Sequence, residues 1–252
     1  MKDSDILDLV IEKLRGLRLH GMRESLDDIL TVAKTKNLSP LKFIDCLCDE
    51  EVAHRARHAV ARRIKNAKFP EVNTIDAFEF GHDAARKKLK GRYLALCDMT
   101  FLGVGTNPLF LGKPGTGKTF LARALAHAAC QAQKRVAVVS APKLLNTLHG
   151  AEIHGALDRV MRPYLHADLL LIDDFAVLPM DPSQAKLAFQ AISERYDYRR
   201  STIITTNRPF KDWSKVFPDA LNAQVIAERL TERSEIFVLN GKPYGGRGGS
   251  MA

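Results

Sequence analysis

The sequence predicts an α/β fold, a mostly parallel five-stranded sheet preceded by an all-helical segment. Three observations carry this. From about residue 85, short apolar or β-branched runs alternate with amphipathic stretches, the rhythm of βαβ crossovers. One strand-to-helix junction, at residues 112–119, is a glycine-rich loop. Before residue 68, apolar residues recur only at helical spacing.

Each element follows from its own pattern. Ile6, Leu9, Val10 and Leu14 form one stripe, and Leu26, Ile29, Leu30 and Ala33 a second. Ser39-Pro40 reads as an N-cap followed by proline at the first helical position, opening a third helix that runs on through AHRARHAVARRIKNAK. Phe69-Pro70 stops it. Residues 71–84, with Ile75, Phe78 and Phe80, are expected to be extended, and a basic helix follows over 84–97. Strands are expected at Pro108–Leu111, Arg135–Val139, Leu169–Ile172, Thr202–Thr206 and Ile236–Leu239. Helices are expected over Thr119–Gln133, Lys143–Leu148, Gly155–Tyr164, Gln184–Arg199 and Leu221–Leu230. The expected domains are 1–68, helical, and 69–244, α/β, with a disordered glycine-rich tail at 245–252.

Composition narrows the function classes. The 252 residues are 46% hydrophobic and 27% charged, as a globular chain should be. No run reaches the length of a membrane span, and acids interrupt the N-terminal apolar residues, which excludes a secretory signal. The four cysteines are too sparse for a disulfide scaffold, and Cys46-x-Cys48 lacks the second pair or histidines of a zinc site. His54, His58 and His149 are isolated and prompt no metal reading. A bacterial cytoplasm with reduced thiols is the expected location. The net charge of +9 favours polyanions. It is concentrated: Glu51 to Arg92 holds eleven Lys/Arg against five acids.

The loop Gly112-Lys113-Pro114-Gly115-Thr116-Gly117-Lys118-Thr119 fits G-x-x-x-x-G-K-[ST] throughout, with a strand before it and Phe120 opening the helix after it. Glycines let backbone N–H groups curl round a phosphate, and the helix N-terminus adds partial positive charge. Lys118 is expected to bridge the β- and γ-phosphates of ATP, and the Thr119 hydroxyl to ligate Mg²⁺. The apolar run Leu169–Ile172 ends in Asp173-Asp174, the Walker B pattern, which brings Asp173 to the metal and Asp174 to an attacking water. Asp174 as a capping aspartate is the competing reading. A third apolar run ends in Asn207, which can orient the water if its strand lies between the other two. A turn-forming Asn before Arg208-Pro209 is the alternative there. Arg229 suits a finger reaching a neighbour's ATP, with Arg233 as the reserve, because guanidinium charge is permanent and its fork matches phosphate oxygens. A surface pairing with Glu228 or Glu232 is the other possibility.

Together these stations resemble the AAA+ ATPases, and more narrowly the IstB-type helper ATPases of insertion-sequence transposition and the related DnaC-type helicase loaders. The resemblance rests on RRIKNAKFPEVNTIDAFEF, LFLGKPGTGKTFLARALAHAA, LLLIDDFAVLPMD, STIITTNRPFKDWSKVFPD and VIAERL, and spans nearly the whole chain. ITTNRPFKDWSKVFPD is the most specific of these. The resemblance implies the strand order 5-1-4-3-2, no C-terminal helical lid, and ATP with Mg²⁺ as ligands. Position by position it assigns Lys118 and Thr119 to Walker A, Asp173 and Asp174 to Walker B, Asn207 to sensor 1 and Arg229 to the box VII arginine. Many relatives carry Glu where this chain has Asp174, one methylene shorter, which implies slow hydrolysis. The family's Ser-Tyr-Arg-like ending is replaced here by Lys242-Pro243-Tyr244-Gly245-Gly246-Arg247.

The implied function is ATP-dependent assembly on double-stranded DNA and recruitment of an integrase-like transposase. The alternatives are loading of a replicative helicase, or a nucleotide-gated adaptor with little turnover. No acidic triad suggests that the chain is itself a nuclease or transposase. The expected DNA contacts are Arg55, Arg62, Arg63, Lys65 and Lys68 on one long helix, of which Arg55, Arg62 and Lys65 share a face. Lys87, Lys88 and Lys90 form a second cluster, and an ATP-dependent oligomer would repeat both along a phosphate ladder.

Overall fold

The two stripes and the capped third helix of the N-terminal segment become α1 (Asp3–Gly16), α2 (His20–Lys36) and α3 (Pro40–Ala67). The computed structural model describes residues 3–241 and residue 243. Contacts divide the chain into two compact units, up to Arg62 and from Arg63 onward. In the first, Ser39 Oγ accepts the Lys42 amide at 3.3 Å, the cap that the Ser39-Pro40 pair predicts. Leu19 gives α2 no side-chain cap. Glu51 of α3 replaces it, accepting the amides of Gly21 at 2.7 Å and Met22 at 3.2 Å, and the Arg55 Nε–H at 2.7 Å. Burial works to raise the Glu51 carboxyl pKa, but these hydrogen bonds prevail and hold it below the usual range. Residue 21 is glycine because a Cβ there would meet the Glu50 carbonyl oxygen at 2.6 Å.

The second unit begins with a difference from the expected extended stretch. Residues 71–84 form two 3₁₀ turns, Ile75–Ala77 and Phe80–His82. No strand among the described residues pairs with it, so the backbone closes its bonds locally, as in Phe78 N–H to the Ile75 carbonyl at 3.0 Å. The aromatic residues pack instead of alternating, with the Phe78 ring 4.8 Å from Phe80 and 5.6 Å from Phe120. The chain continues through α4 (Ala84–Leu96), α5 (Phe101–Val104), β1 (Asn107–Gly112), α6 (Lys118–Gln131), β2 (Val136–Ser140), α7 (Ala141–Ile153) and α8 (Leu157–His166). It ends with β3 (Leu169–Asp173), α9 (Pro182–Asp197), β4 (Ser201–Thr206), α10 (Ala220–Thr231) and β5 (Ser234–Leu239). The short helix α5 and a 3₁₀ stretch at Phe210–Lys215, which buries Trp213, are additions to the predicted elements.

All strand pairs are parallel, in the order β2-β3-β4-β1-β5. This is the expected 5-1-4-3-2, with β4 between the strands carrying the two phosphate-site motifs. β3 and β4 are buried along their whole length, as central strands covered on both faces must be. Alternation sends Leu170, Ile172 and Ile204 to a core shared with Leu144, Leu187, Trp213 and Ile226. Leu169, Leu171 and Ile203 join Tyr93, Phe110, Leu121 and Phe237 on the other face. No helix follows β5 among the described residues, and none of the described helices is long and apolar enough to cross a membrane. The predicted tail, 245–252, and most of the 242–247 ending lie outside the described residues.

Buried Arg195 ties the end of the sheet opposite the glycine-rich loop. It donates to the carbonyls of Tyr164 (2.7 Å), Ala167 (3.0 Å) and Ser201 (2.5 Å) and to Thr202 Oγ1 (3.0 Å). Arg195→Met would strand these acceptors. We expect a loss of about 3 kcal/mol or more in urea unfolding; a loss below about 1 kcal/mol would mean that water satisfies them.

Candidate nucleotide site

The glycine-rich loop connects β1 to α6 at the C-terminal edge of the sheet, where parallel folds of this kind bind ligands. Gly115 and Gly117 take φ of +76° and +97°, the left-handed region that side chains resist. Thr116 Oγ1 and Lys118 Nζ both donate to the Lys113 carbonyl, at 2.8 and 2.9 Å, so the lysine folds over its own loop. Burial lowers the Lys118 pKa, opposed by the charges of Asp174 and Asp173. A cavity of about 470 Å³ opens beside the loop, lined by Ala77, Phe78, Gly115, Gly117, Lys118, Thr119 and Phe120. Its polar end is the phosphate loop and its apolar end is the 3₁₀ linker, an amphipathic layout that suits a nucleotide.

Asp173 ends β3 within reach of this loop. Its Oδ1 accepts the hydroxyls of Thr119 at 2.8 Å and Thr205 at 2.5 Å, and its Oδ2 accepts Arg123 Nη2 at 3.1 Å. A Thr119 hydroxyl that donates to Asp173 keeps its oxygen lone pairs for a cation. Two adjacent oxygen donors fit Mg²⁺, whose remaining ligands come from phosphates and water. Among the described residues no group of three or more His, Cys, Asp or Glu could hold a metal.

Asp174 is held differently. Its φ is +56°, and its amide donates to Thr205 Oγ1 at 2.9 Å. Thr205 on β4 therefore braces both acids, one through the carboxylate and one through the backbone. Burial, reinforced by the Asp173 charge, raises the Asp174 pKa; the Lys118 and Arg123 charges oppose this. Asn207 immediately follows β4 and is exposed at the same sheet edge. Arg229 does not join this group. It lies near the end of α10, its guanidinium 5.3 Å from the Phe189 ring centroid and 5.5 Å from Tyr196. It lines a cavity with Asn107, Arg199, Arg200 and Arg233, at the N-terminal ends of β1 and β4. Within one chain, that is the opposite end of the sheet from the phosphate loop.

The basic segment is not uniform. In the first unit, Arg62 is exposed, and Arg55, also exposed, is paired with Glu51. In the second, Lys65, Lys87, Lys88 and Lys90 are exposed and Arg63 half-buried. Lys68 departs from the expected single helix. α3 ends at Ala67, and Lys68 takes φ +60°, a left-handed stop just before Phe69-Pro70. Arg86 is only 1% exposed and donates to the Thr116 carbonyl at 3.3 Å, bracing the phosphate loop from behind. Its charge reads in the sequence as part of the polyanion patch. The missed residues are thus Arg86, Thr205, Ala77 and Phe78. The one signal for Phe78 was its place in an apolar cluster ahead of the loop; Arg86 and Thr205 had none.

The IstB-like ATP binding protein family matches residues 12–252. A Bacillus thuringiensis subsp. berliner protein named for insertion sequence IS232 and ATP binding is 32% identical, covering 92% of this chain and 91% of its own. A Pseudomonas aeruginosa protein named for insertion sequence IS21 and ATP binding is 30% identical, covering 92% and 86%. Among solved structures, the DnaC helicase loader superposes with a TM-score of 0.60 at 22% identity, over 66% of this chain and 96% of that one. The structure of DnaI gives 0.57 at 18%, over 68% and 89%. These likenesses establish the AAA+ fold, and the match over nearly the full sequence identifies the chain as a member of the IstB-like ATP-binding protein family associated with insertion sequences.

Proposed function

We propose that the chain is an Mg²⁺-dependent ATPase that assembles on duplex DNA and recruits or stimulates a transposase. The observation that carries this reading is the convergence of Lys118, Thr119, Asp173 and Asp174 at one sheet edge, with Asn207 just past the end of the strand between. In this reading Lys118 leaves the Lys113 carbonyl for the β- and γ-phosphates, and the loop amides of residues 112–119 with the Phe120 amide in the first turn of α6 hold the rest. Thr119 and Asp173 hold Mg²⁺, which when bound neutralises charge on the phosphate oxygens. Asp174 polarises water, Asn207 orients it, and Arg229 completes a neighbour's site, which fits its distance from the loop of its own chain. The domain reading is 1–68, helical, for partner contacts and the first DNA cluster, and 69–244 for ATP, with the second DNA cluster at its entry. The insertion-sequence names of the full-length relatives favour a transposase over a replicative helicase as the partner.

DNA contact is assigned to Arg55, Arg62, Arg63, Lys65, Lys68, Lys87, Lys88 and Lys90. Phosphate contacts ignore sequence and release counterions, so affinity should fall steeply with salt. Duplex binding with ATP, followed across a salt series, tests this. Replacing Arg62, Arg63 and Lys65 together by alanine should weaken binding equally for unrelated sequences and reduce the salt slope by about two to three. Unchanged affinity and slope, with ATPase intact, would assign this helix to a protein partner and move the helicase-loader reading ahead.

A further inference from the structure

Arg123 lies four residues after Thr119 on α6, on the same helix face, and belongs to no phosphate-loop motif. Its side chain is 18% exposed, and its Nη2 donates to Asp173 Oδ2 at 3.1 Å. The Thr119 and Thr205 hydroxyls already use the two lone-pair directions of Asp173 Oδ1. Oδ2 is therefore the oxygen left for a metal or for a water bound to it, and a guanidinium already sits on one of its two lone-pair directions, next to where the cation would be. On its other side, Arg123 Nη1 is 3.9 Å from Glu71 Oε2, on a side chain that is 73% exposed. Glu71 belongs to the linker whose Ala77 and Phe78 line the nucleotide cavity.

We propose that Arg123 is a positioning residue that occupies the metal-facing oxygen of Asp173 as an internal cation, and that Glu71 is the alternate anchor to which it retreats when Mg²⁺ arrives with the nucleotide. This rests on the nucleotide-site reading above. Two cations cannot share one carboxylate oxygen without repulsion, and Glu71 gives the displaced guanidinium a partner without leaving the site. The exchange pulls on the linker wall of the cavity, so metal binding and closure around the base become one event.

The inference predicts opposite shifts for two neutral substitutions. The probe is a fluorescent ATP analogue on the full chain, with its binding followed over an Mg²⁺ titration and compared with binding in EDTA. Arg123→Gln removes the competitor and should lower the half-saturating Mg²⁺ by about tenfold, the weight of one charge-assisted hydrogen bond. Glu71→Gln removes the retreat and should raise it by about twofold, the weight of an exposed pair. Arg123→Lys should fall between parent and Arg123→Gln. A half-saturating Mg²⁺ that rises or stays constant in Arg123→Gln overturns the proposal, and so does analogue binding indifferent to Mg²⁺. If Arg123→Gln fails to fold, Glu71→Gln decides, and an unchanged value there overturns it. A parent chain that binds no analogue at all would sink the nucleotide reading instead.

Discussion

Lys118→Ala is expected to abolish productive ATP binding. Among the described residues its ammonium is the one cation lining the cavity beside the glycine-rich loop, and its Nζ already reaches the Lys113 carbonyl at 2.9 Å, so a short swing would bring it to a phosphate there. It is largely buried, and burial disfavours its charge until an anion arrives. Two charge-assisted contacts at about 1.5–3 kcal/mol each make the loss at least about 100-fold in affinity. Alanine is a good helix former at this first position of α6, so the fold should persist. Calorimetric titration with ATP and Mg²⁺, alongside a melting curve, reads the result. A folded variant that binds and hydrolyses ATP as the parent does would refute the phosphate-loop assignment.

Asp174→Asn should leave ATP bound and slow its hydrolysis about 10²-fold, the usual size of a lost general base. The side chains are nearly isosteric, and Asn tolerates the left-handed backbone at φ +56° as well as Asp does. The hydrogen bond from the residue-174 backbone N–H to Thr205 Oγ1 should survive, which isolates the carboxylate as the cause. Unchanged single-turnover hydrolysis would demote Asp174 to a structural aspartate and leave Asn207 as the main water-orienting group. The same variant tests Arg229. Arg229→Ala alone should be inactive, yet mixing it with Asp174→Asn should restore part of the turnover, because intact sites form at mixed interfaces. A monomer hydrolysing ATP at the full rate would exclude the shared site.

Local pattern was enough for much of this molecule. The 3.6-residue stripes define α1 and α2, the Ser39-Pro40 cap opens α3, a continuous apolar run defines β3 and a β-branched run β4. The phosphate loop was legible from spacing alone, since it needs its residues contiguous. Asp173 was legible for the same reason, as the polar end of a buried strand. The strand order came from resemblance, and no local feature encodes it.

What contiguity does not encode, tertiary structure decided. Residues 71–84 carry Ile75, Phe78 and Phe80 in a strand-like stretch, but no strand among the described residues pairs with them, so they curl into 3₁₀ turns, and Ala77 and Phe78 line the cavity. Arg86 has the charge of a DNA contact and the burial of a core residue; only the packing of α4 against the loop distinguishes the two. Arg123, Thr205 and Asp173 lie on three separate elements and meet because β4 runs between β3 and β1. Sequence by itself therefore determined the candidate binding and reacting groups, because a motif on one strand or loop is set by local geometry. The positions of the groups that brace and compete with them depended on long-range packing, which brings together residues with no spacing in common.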